Sequence, residues 1–276
     1  MRTAIDFGIT NTDAVTFRDG KMHRWKLPSD GELNPELVET VLKAGGVELT
    51  AHKEIVVTGG RHRTLPEKIQ NCTVTKVNEI KAIGRGGQAL AVLNESNFET
   101  PILVVSAGSG TAVVAARGHE YTHITGTGVG GGTMLGLGRL LLHTSDPAEI
   151  DALALKGDPN GADLSLGDVV TGPIGNLPID VTAVNFGRLA KQNLTVSRED
   201  LSAALVTLVG QVIAVTAINA AHAEQLERVV VIGHLTDMPS VRGVLQKVSD
   251  IYHLNLILPE EAGSATALGA LLHTKQ

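Results

Sequence analysis

The chain has a single cysteine, Cys72, which excludes an internal disulfide and fits a reducing compartment. It has no block of basic residues and a formal net charge of −6, which argues against a general nucleic-acid binder. Its ten histidines show no metal-ligand spacing. His119 and His123 are four apart, but in a strand they do not converge as a helical pair would. No glycine stretch ends in the Gly-Lys-Ser/Thr of a P-loop. The N-terminus enters an apolar strand pattern almost at once, so no signal peptide is expected. One stretch, Ala203 to Ala221, is apolar enough to be weighed as a membrane span. Thr207, Gln211, Thr216 and Asn219 within it favour a buried helix at a domain core or a subunit contact.

What the chain does have is bulk and glycine. With 276 residues, 43% apolar and 19% charged, it is a soluble globular chain with a core for one large or two smaller domains. Residues 126 to 138 hold seven glycines in thirteen positions. Glycine admits close backbone approach, and backbone N–H groups leading into a helix form an anion site. The same glycines also suit close helix packing, as at Gly136 and Gly138. Gly126, Gly128 and Gly131 match the loose dinucleotide spacing. No strand stands in the right βαβ context before them and no acidic residue follows at a convincing distance.

The pattern along the chain repeats. Thr3 to Asp6, Ala14 to Phe17 and Met22 to Leu27 read as strands, with Asp19-Gly20 a hairpin turn. Pro35 to Ala44 reads as a helix capped by Asn34, and Glu54 to Val57 as a buried strand. A helix around Leu65 to Gln70, a strand at Thr73 to Val77 and a helix at Gly87 to Leu93 follow. Strand, glycine turn and strand then recur at Ile102 to Ser106, Ala112 to Ala116 and Glu120 to Ile124, an internal structural duplication. Helices are expected at Leu135 to Leu142, Asp146 to Leu155, Val184 to Lys191, Arg198 to Glu224, Ser240 to Tyr252 and Ala265 to His273, with a short, ambiguous piece at Asp163 to Val170. Strands are expected at Val229 to Ile232 and Leu254 to Leu258. This is an α/β chain of two lobes, 1–97 and 98–276, with the break near 94–101 and the last helix crossing back.

Two glycine hairpins, one per lobe, each after a strand, are the parts of a phosphate clamp. Asp6 alone fits a strand-end turn as well as a site that holds Mg²⁺ through water. The segments Asp6-x-Gly-x-Thr, Thr58-Gly59-Gly60, Gly108-Ser109-Gly110-Thr111 and the run to Gly138 resemble the actin-like (ASKHA) kinase superfamily, and within it the type II pantothenate kinases. Thr182 to Gly187, Val209 to Ile213, Val230 to Gly233 and Gly263-Ser264-Ala265 fall in the same order.

The resemblance implies a two-lobed, ribonuclease H-like ATPase fold with duplicated mixed sheets. It also implies transfer of the γ-phosphoryl of ATP, with Mg²⁺, to the primary hydroxyl of pantothenate or a related small hydroxy acid. Glu79 falls where the family has its general base. A solvated glutamate is the other reading of that residue. Gly8, Thr10, Ser109, Gly110 and Gly131, Gly132, Thr133, Met134 and Leu135 fall at nucleotide-contacting positions. His123, Asn185 and Gly187 fall near the substrate. Arg61 and Arg85 are basic residues able to meet a substrate carboxylate or phosphate, or simply solvated. A cytoplasmic homodimer with a small-molecule substrate, and with neither nucleic acid nor membrane, is implied as well. The chain departs from the family pattern at Ile9, at Asp13 (commonly lysine), at His123 (an arginine in the family) and at His234. Those departures leave two other readings open, namely another hydroxy-acid or sugar acceptor, or a weakly catalytic nucleotide-binding protein.

Overall fold

Alternating apolar residues set the first meander. Thr3–Phe7 (β1), Asn11–Arg18 (β2) and Lys21–Pro28 (β3) pair antiparallel. Asp19 and Gly20 both have positive φ, 53° and 73°, as a two-residue hairpin loop requires. The first helix, Pro35–Ala44 (α1), starts where its cap is strongest: Leu37 N–H donates to Asn34 Oδ1 at 2.9 Å. Glu54–Thr58 (β4), Lys68–Ile69 (β5), Cys72–Lys76 (β6) and Glu79–Ala91 (α2) complete the first half. The structure is a computed structural model, and its described residues are 1–91, 99–172, 174–175, 177–191 and 194–273.

The second half restarts with the meander Ile102–Ala107 (β7), Thr111–Arg117 (β8) and Glu120–Thr127 (β9). It continues through Gly131–Leu141 (α3), Pro147–Ala154 (α4), Leu164–Ser165 (β10), Leu166–Val169 (α5), Thr182–Val184 (β11), Gly187–Lys191 (α6) and Arg198–Glu224 (α7). Val229–Ile232 (β12), Pro239–Tyr252 (α8), Leu256–Ile257 (β13) and Ala265–His273 (α9) close it. One sheet runs β3-β2-β1-β4-β6-β5 and the other β9-β8-β7-β12-β13. Each places an antiparallel meander beside parallel strands, β1–β4–β6 in one and β7–β12–β13 in the other. The expected duplication is therefore present as topology.

Three apolar layers hold these elements. The outer face of the first sheet (Ile5, Phe7, Val57) packs on α1 through Val38, Val41 and Leu42. The outer face of the second (Leu103, Val105, Val113) packs on α3, α4, α7 and α8. Between the sheets, α2 and α9 lie against Ala4, Val15 and Val56 on one side and Val104, Val114 and Val230 on the other. The last helix thus crosses back to the first lobe. The long helix α7 is apolar enough to span a bilayer, yet Leu205, Val209, Ile213 and Ala217 are fully buried in the second core.

Several expected boundaries are corrected. No α-helix forms at 65–70: a 3₁₀ turn at His62–Thr64 ends before Leu65-Pro66, and β5 follows. The residue before proline is driven to extended backbone, and Leu65 sits at ψ 146°. Helix α2 begins at Glu79 rather than Gly87, with its glycines inside the helix. A Cβ on Gly86 would lie 2.0 Å from Ala265 O, and one on Gly269 would lie 1.9 Å from Ala82 O, so α2 and α9 touch backbone to backbone. The segment expected as one helix from Val184 is strand β11, a turn with Phe186 at φ 56°, then α6. The expected helix at Leu135 starts at Gly131. Asp163 to Val170 resolves into β10 and a single turn, α5. The last strand is shorter than expected, Leu256–Ile257. The expected lobe break falls largely on 92–98, outside the described residues.

Candidate functional site

The two glycine hairpins meet. Thr10, in the turn between β1 and β2, and Ser109, in the turn between β7 and β8, are linked Oγ to Oγ at 2.7 Å. The glycine run packs on the second hairpin: Gly131 N–H donates to Gly108 O and Gly132 N–H to Ser109 O, both at 2.8 Å. A Cβ on Gly130 would lie 2.8 Å from Gly108 O, so this approach needs glycine. Thr111 Oγ1 donates to Val129 O at 2.8 Å, and Thr133 Oγ1 to Gly128 O at 3.0 Å. The expectation of a loop of bare N–H groups is thereby corrected. Two donors at the start of α3 are spent on hairpin carbonyls, and the run works as the wall behind that hairpin.

Within that wall the residues divide. Gly132 is exposed and Thr133 half-buried. The Met134 side chain is 1% exposed and lies in the second core, with Leu135 packed against it. Both side chains are thus turned to the second core, which leaves the backbone at these two positions to line the start of α3.

Asp6 and Glu79 come together. Asp6 is the last residue but one of β1, beside Thr58 of β4, and its Oδ1 is buried without a hydrogen-bond partner. Burial, then the nearby Glu79 and Asp13 carboxylates, push the Asp6 pKa up to about 8, with the His234 charge opposing. Glu79 is the first residue of α2 and half-buried. The adjoining turn is capped by Asn78, whose Oδ1 accepts from Ile80 N–H at 3.0 Å. A crowd of carboxylates around an unpartnered carboxylate oxygen is a setting that a divalent cation relieves. Among the described residues no group of three or more ligating side chains forms, so any such cation would rest largely on water and substrate oxygens.

The other expected residues scatter. His123 is exposed on β9, opposite Val114, on the face that carries α2. Arg61 lines a small pocket with Gly8, Thr12, Asp30 and Leu37, on the α1 face of the first sheet, the face opposite to the one that carries Asp6. Arg85 lies beside Tyr121, whose strand partner is Ala116. That is five residues down β8 from Thr111, about 17 Å from the hairpin. Asn185 Nδ2 donates to Gln211 Oε1 at 3.2 Å and to Asp163 Oδ2 at 3.5 Å. Burial raises the Asp163 pKa, and Phe186 N–H donates to this carboxylate at 2.7 Å. Gly187 is buried where a Cβ would meet Val184 at 2.8 Å, which gives it a packing role.

Sequence reasoning missed one contact. Asp13 and His234, noted only as separate departures, are bonded: His234 Nε2 lies 2.9 and 3.0 Å from the Asp13 oxygens, and Nδ1 lies 2.8 Å from Asp237 Oδ2. A sequence separation of 221 hides the pair from any local pattern. Beside them a groove of about 760 Å³ opens between β3 and the start of α8.

A family model described as Fumble matches residues 35–253. A type II pantothenate kinase of Bacillus cereus (strain G9842) is 25% identical over 271 residues, 98% of this chain and 97% of the relative. One from Oceanobacillus iheyensis is 29% identical over 272 residues, 98% of each. Among solved structures, the activator of the 2-hydroxyisocaproyl-CoA dehydratase from Clostridium difficile with bound ADPNP is similar at a TM-score of 0.65. It is 15% identical, and the match covers 99% of this chain and 93% of that one. A ROK family glucokinase from Streptomyces griseus in complex with glucose and AMPPNP is similar at a TM-score of 0.58 and 12% identity, over 100% and 99% of the two chains. At these identities the structural likeness is one of fold, the two-sheet actin-like ASKHA architecture. With most of its length matched by the family model, the chain belongs to the Fumble family, that of the type II pantothenate kinases.

Proposed function

We propose that this protein is an ATP-dependent kinase that phosphorylates the primary hydroxyl of pantothenate or a closely related hydroxy acid, a step of coenzyme A biosynthesis. The observation that carries the reading is the meeting of the two hairpins at Thr10 and Ser109, with the unpartnered Asp6 carboxylate in the same lobe as the first. Gly8, Thr10, Ser109 and Gly110 hold the phosphates from both lobes, and Gly131 to Thr133 back the second hairpin. The groove beside Asp13 and His234 has the volume of a small-molecule site. Asp6 holds Mg²⁺ through water, and the ion's charge offsets that of the phosphates.

Glu79 accepts the hydroxyl proton as the hydroxyl oxygen bonds to the γ-phosphorus and the bond to the β–γ bridging oxygen breaks, releasing ADP. Its charge is felt at Asp6, so it stands near the phosphoryl end of the site. His123, on the α2 face, is the acceptor-side residue of this reading. Asn185 takes part only through the segment that Asp163 holds. The expected experiment is ADP release that depends on pantothenate, with Glu79→Gln slowing turnover by more than about a hundredfold. Turnover unchanged in that variant removes Glu79 from the mechanism.

A second reading is favoured by one observation: Asp13 adds a third carboxylate to the Asp6 and Glu79 site. On that reading the protein binds nucleotide without efficient transfer. Calorimetric ATP binding with no ADP formed against a panel of hydroxy acids and sugars supports it, and absence of ATP binding removes both readings. We further propose lobes at 1–97 and 98–276, a cytoplasmic setting, and a homodimer through α3 and α7, where Leu140 and Val215 are 73% and 40% exposed. Sedimentation as a monomer at micromolar concentration would remove the dimer.

A further inference from the structure

Asp13 and Asp6 are directly opposed on β2 and β1, so their side chains share the face that carries α2 and α9. Asp13 is 5% exposed, and a carboxylate buried so deeply needs a partner. That partner comes from the other lobe. His234 follows β12, donates Nε2–H to Asp13 and Nδ1–H to Asp237, and is thereby held as an imidazolium. Burial pulls the His234 pKa down, but the two carboxylates outweigh it and hold it at about 9, with Lys26 opposing. The loop before α9 is shaped to the ring: a Cβ on Gly263 would lie 2.3 Å from His234 Nδ1 and 3.0 Å from Asp237 Oδ2. Of the groups that act on Asp6, His234 is the one that favours its ionised form.

We propose that His234 is the cation that neutralises the nucleotide phosphates in this protein, and that Asp13 holds its Nε2–H until the nucleotide arrives. The inference rests on the reading that the cleft between the hairpins binds a nucleoside triphosphate. Phosphates placed beside Asp6, Asp13 and Glu79 meet three carboxylates, and a positive group must offset them. His234 and Asp13 both line the groove between β3 and the start of α8, and the charges of both are felt at Asp6. When the phosphate enters, Nε2–H passes from the Asp13 carboxylate to a phosphate oxygen while Asp237 keeps Nδ1–H. Lys26, directly opposite Asp13 on β3, is placed to take over the freed carboxylate. No covalent bond changes.

The test is calorimetric titration of the full chain with Mg-ATP, comparing wild type, His234→Gln and Asp13→Asn, with thermal unfolding as a folding check. His234→Gln is expected to weaken binding by about tenfold or more, the worth of a charge-assisted hydrogen bond. Asp13→Asn is expected to tighten it severalfold, because it removes an anion from beside the phosphates and frees the imidazole. A purely structural clasp between the lobes predicts otherwise, since both variants weaken the same contact, one by removing the imidazolium and the other by removing the carboxylate charge, and would shift affinity in the same direction. That result, or affinity unchanged in both, overturns the inference and leaves the nucleotide reading standing. If His234→Gln does not fold, the near-isosteric Asp13→Asn decides alone, and unchanged or weakened binding overturns the proposal. Wild type that binds no nucleotide removes the reading and this inference together.

Discussion

Charged residues of this protein matter through where they are buried. Asp6 was legible because Asp-x-Gly-x-Thr places a carboxylate at a strand end before a tight turn. Its raised pKa was not, since that comes first from burial in the folded chain and then from Glu79 and Asp13, seven or more positions away. His234 carries a pH prediction. Its folded-state pKa of about 9 lies above the ordinary 6.5, so the stabilisation from Asp13 and Asp237 is fully present below about pH 6.5 and lost as pH rises through about 9. Asp13, Asp237 and Lys26 are the charged groups acting on the ring from its own turn and from the other lobe. Urea unfolding from pH 6.5 to 9 is therefore expected to show falling stability in the wild type and a shallower fall in His234→Gln. An equal slope in both would show that another group is responsible.

Helices and strands were legible wherever their own caps and periods decide them. Helix α1, with Asn34 and Pro35, and helices α7 and α9 begin and end where the sequence places them. Helix α2 was misplaced because Gly84, Gly86 and Gly87 read locally as a loop, whereas each is a close approach inside the helix: Gly84 to Tyr121, Gly86 to Ala265 of α9 and Gly87 to Val104. The consequence is a pair of opposite predictions. Gly86→Ala gains helix propensity but drives a methyl into the Ala265 carbonyl, and is expected to cost about 1–3 kcal/mol net. Gly243, mid-way along α8, has nothing within 4 Å of its Cβ position, so Gly243→Ala is expected to stabilise by about 0.5–1 kcal/mol. Denaturant midpoints measure both, and a stabilised Gly86→Ala would mean that the two helices have room to part.

At the scale of the whole molecule, the lobes are not independent. The layer of α2 and α9 is shared, since Ala4 and Val56 of one sheet and Val104 and Val230 of the other belong to one apolar cluster. The single tryptophan, Trp25, lies in the first sheet, with its Nε1–H on Val41 O at 2.8 Å. Its fluorescence and the far-UV circular dichroism are expected to report one coincident unfolding transition. Separate midpoints would show that the lobes unfold apart. The sequence by itself determined the alternation of strands and helices, the two meanders with their glycine turns, and the burial of α7, because these rest on periodicity, caps and turn residues within a few positions. Only the tertiary structure decided that the glycine run spends two N–H groups on a hairpin, that Arg61 takes the α1 face and Arg85 lies beside Tyr121, and that Asp13 answers His234. Those outcomes depend on which sheet face a side chain takes and which distant carbonyl or charge it meets there, and no local pattern encodes either.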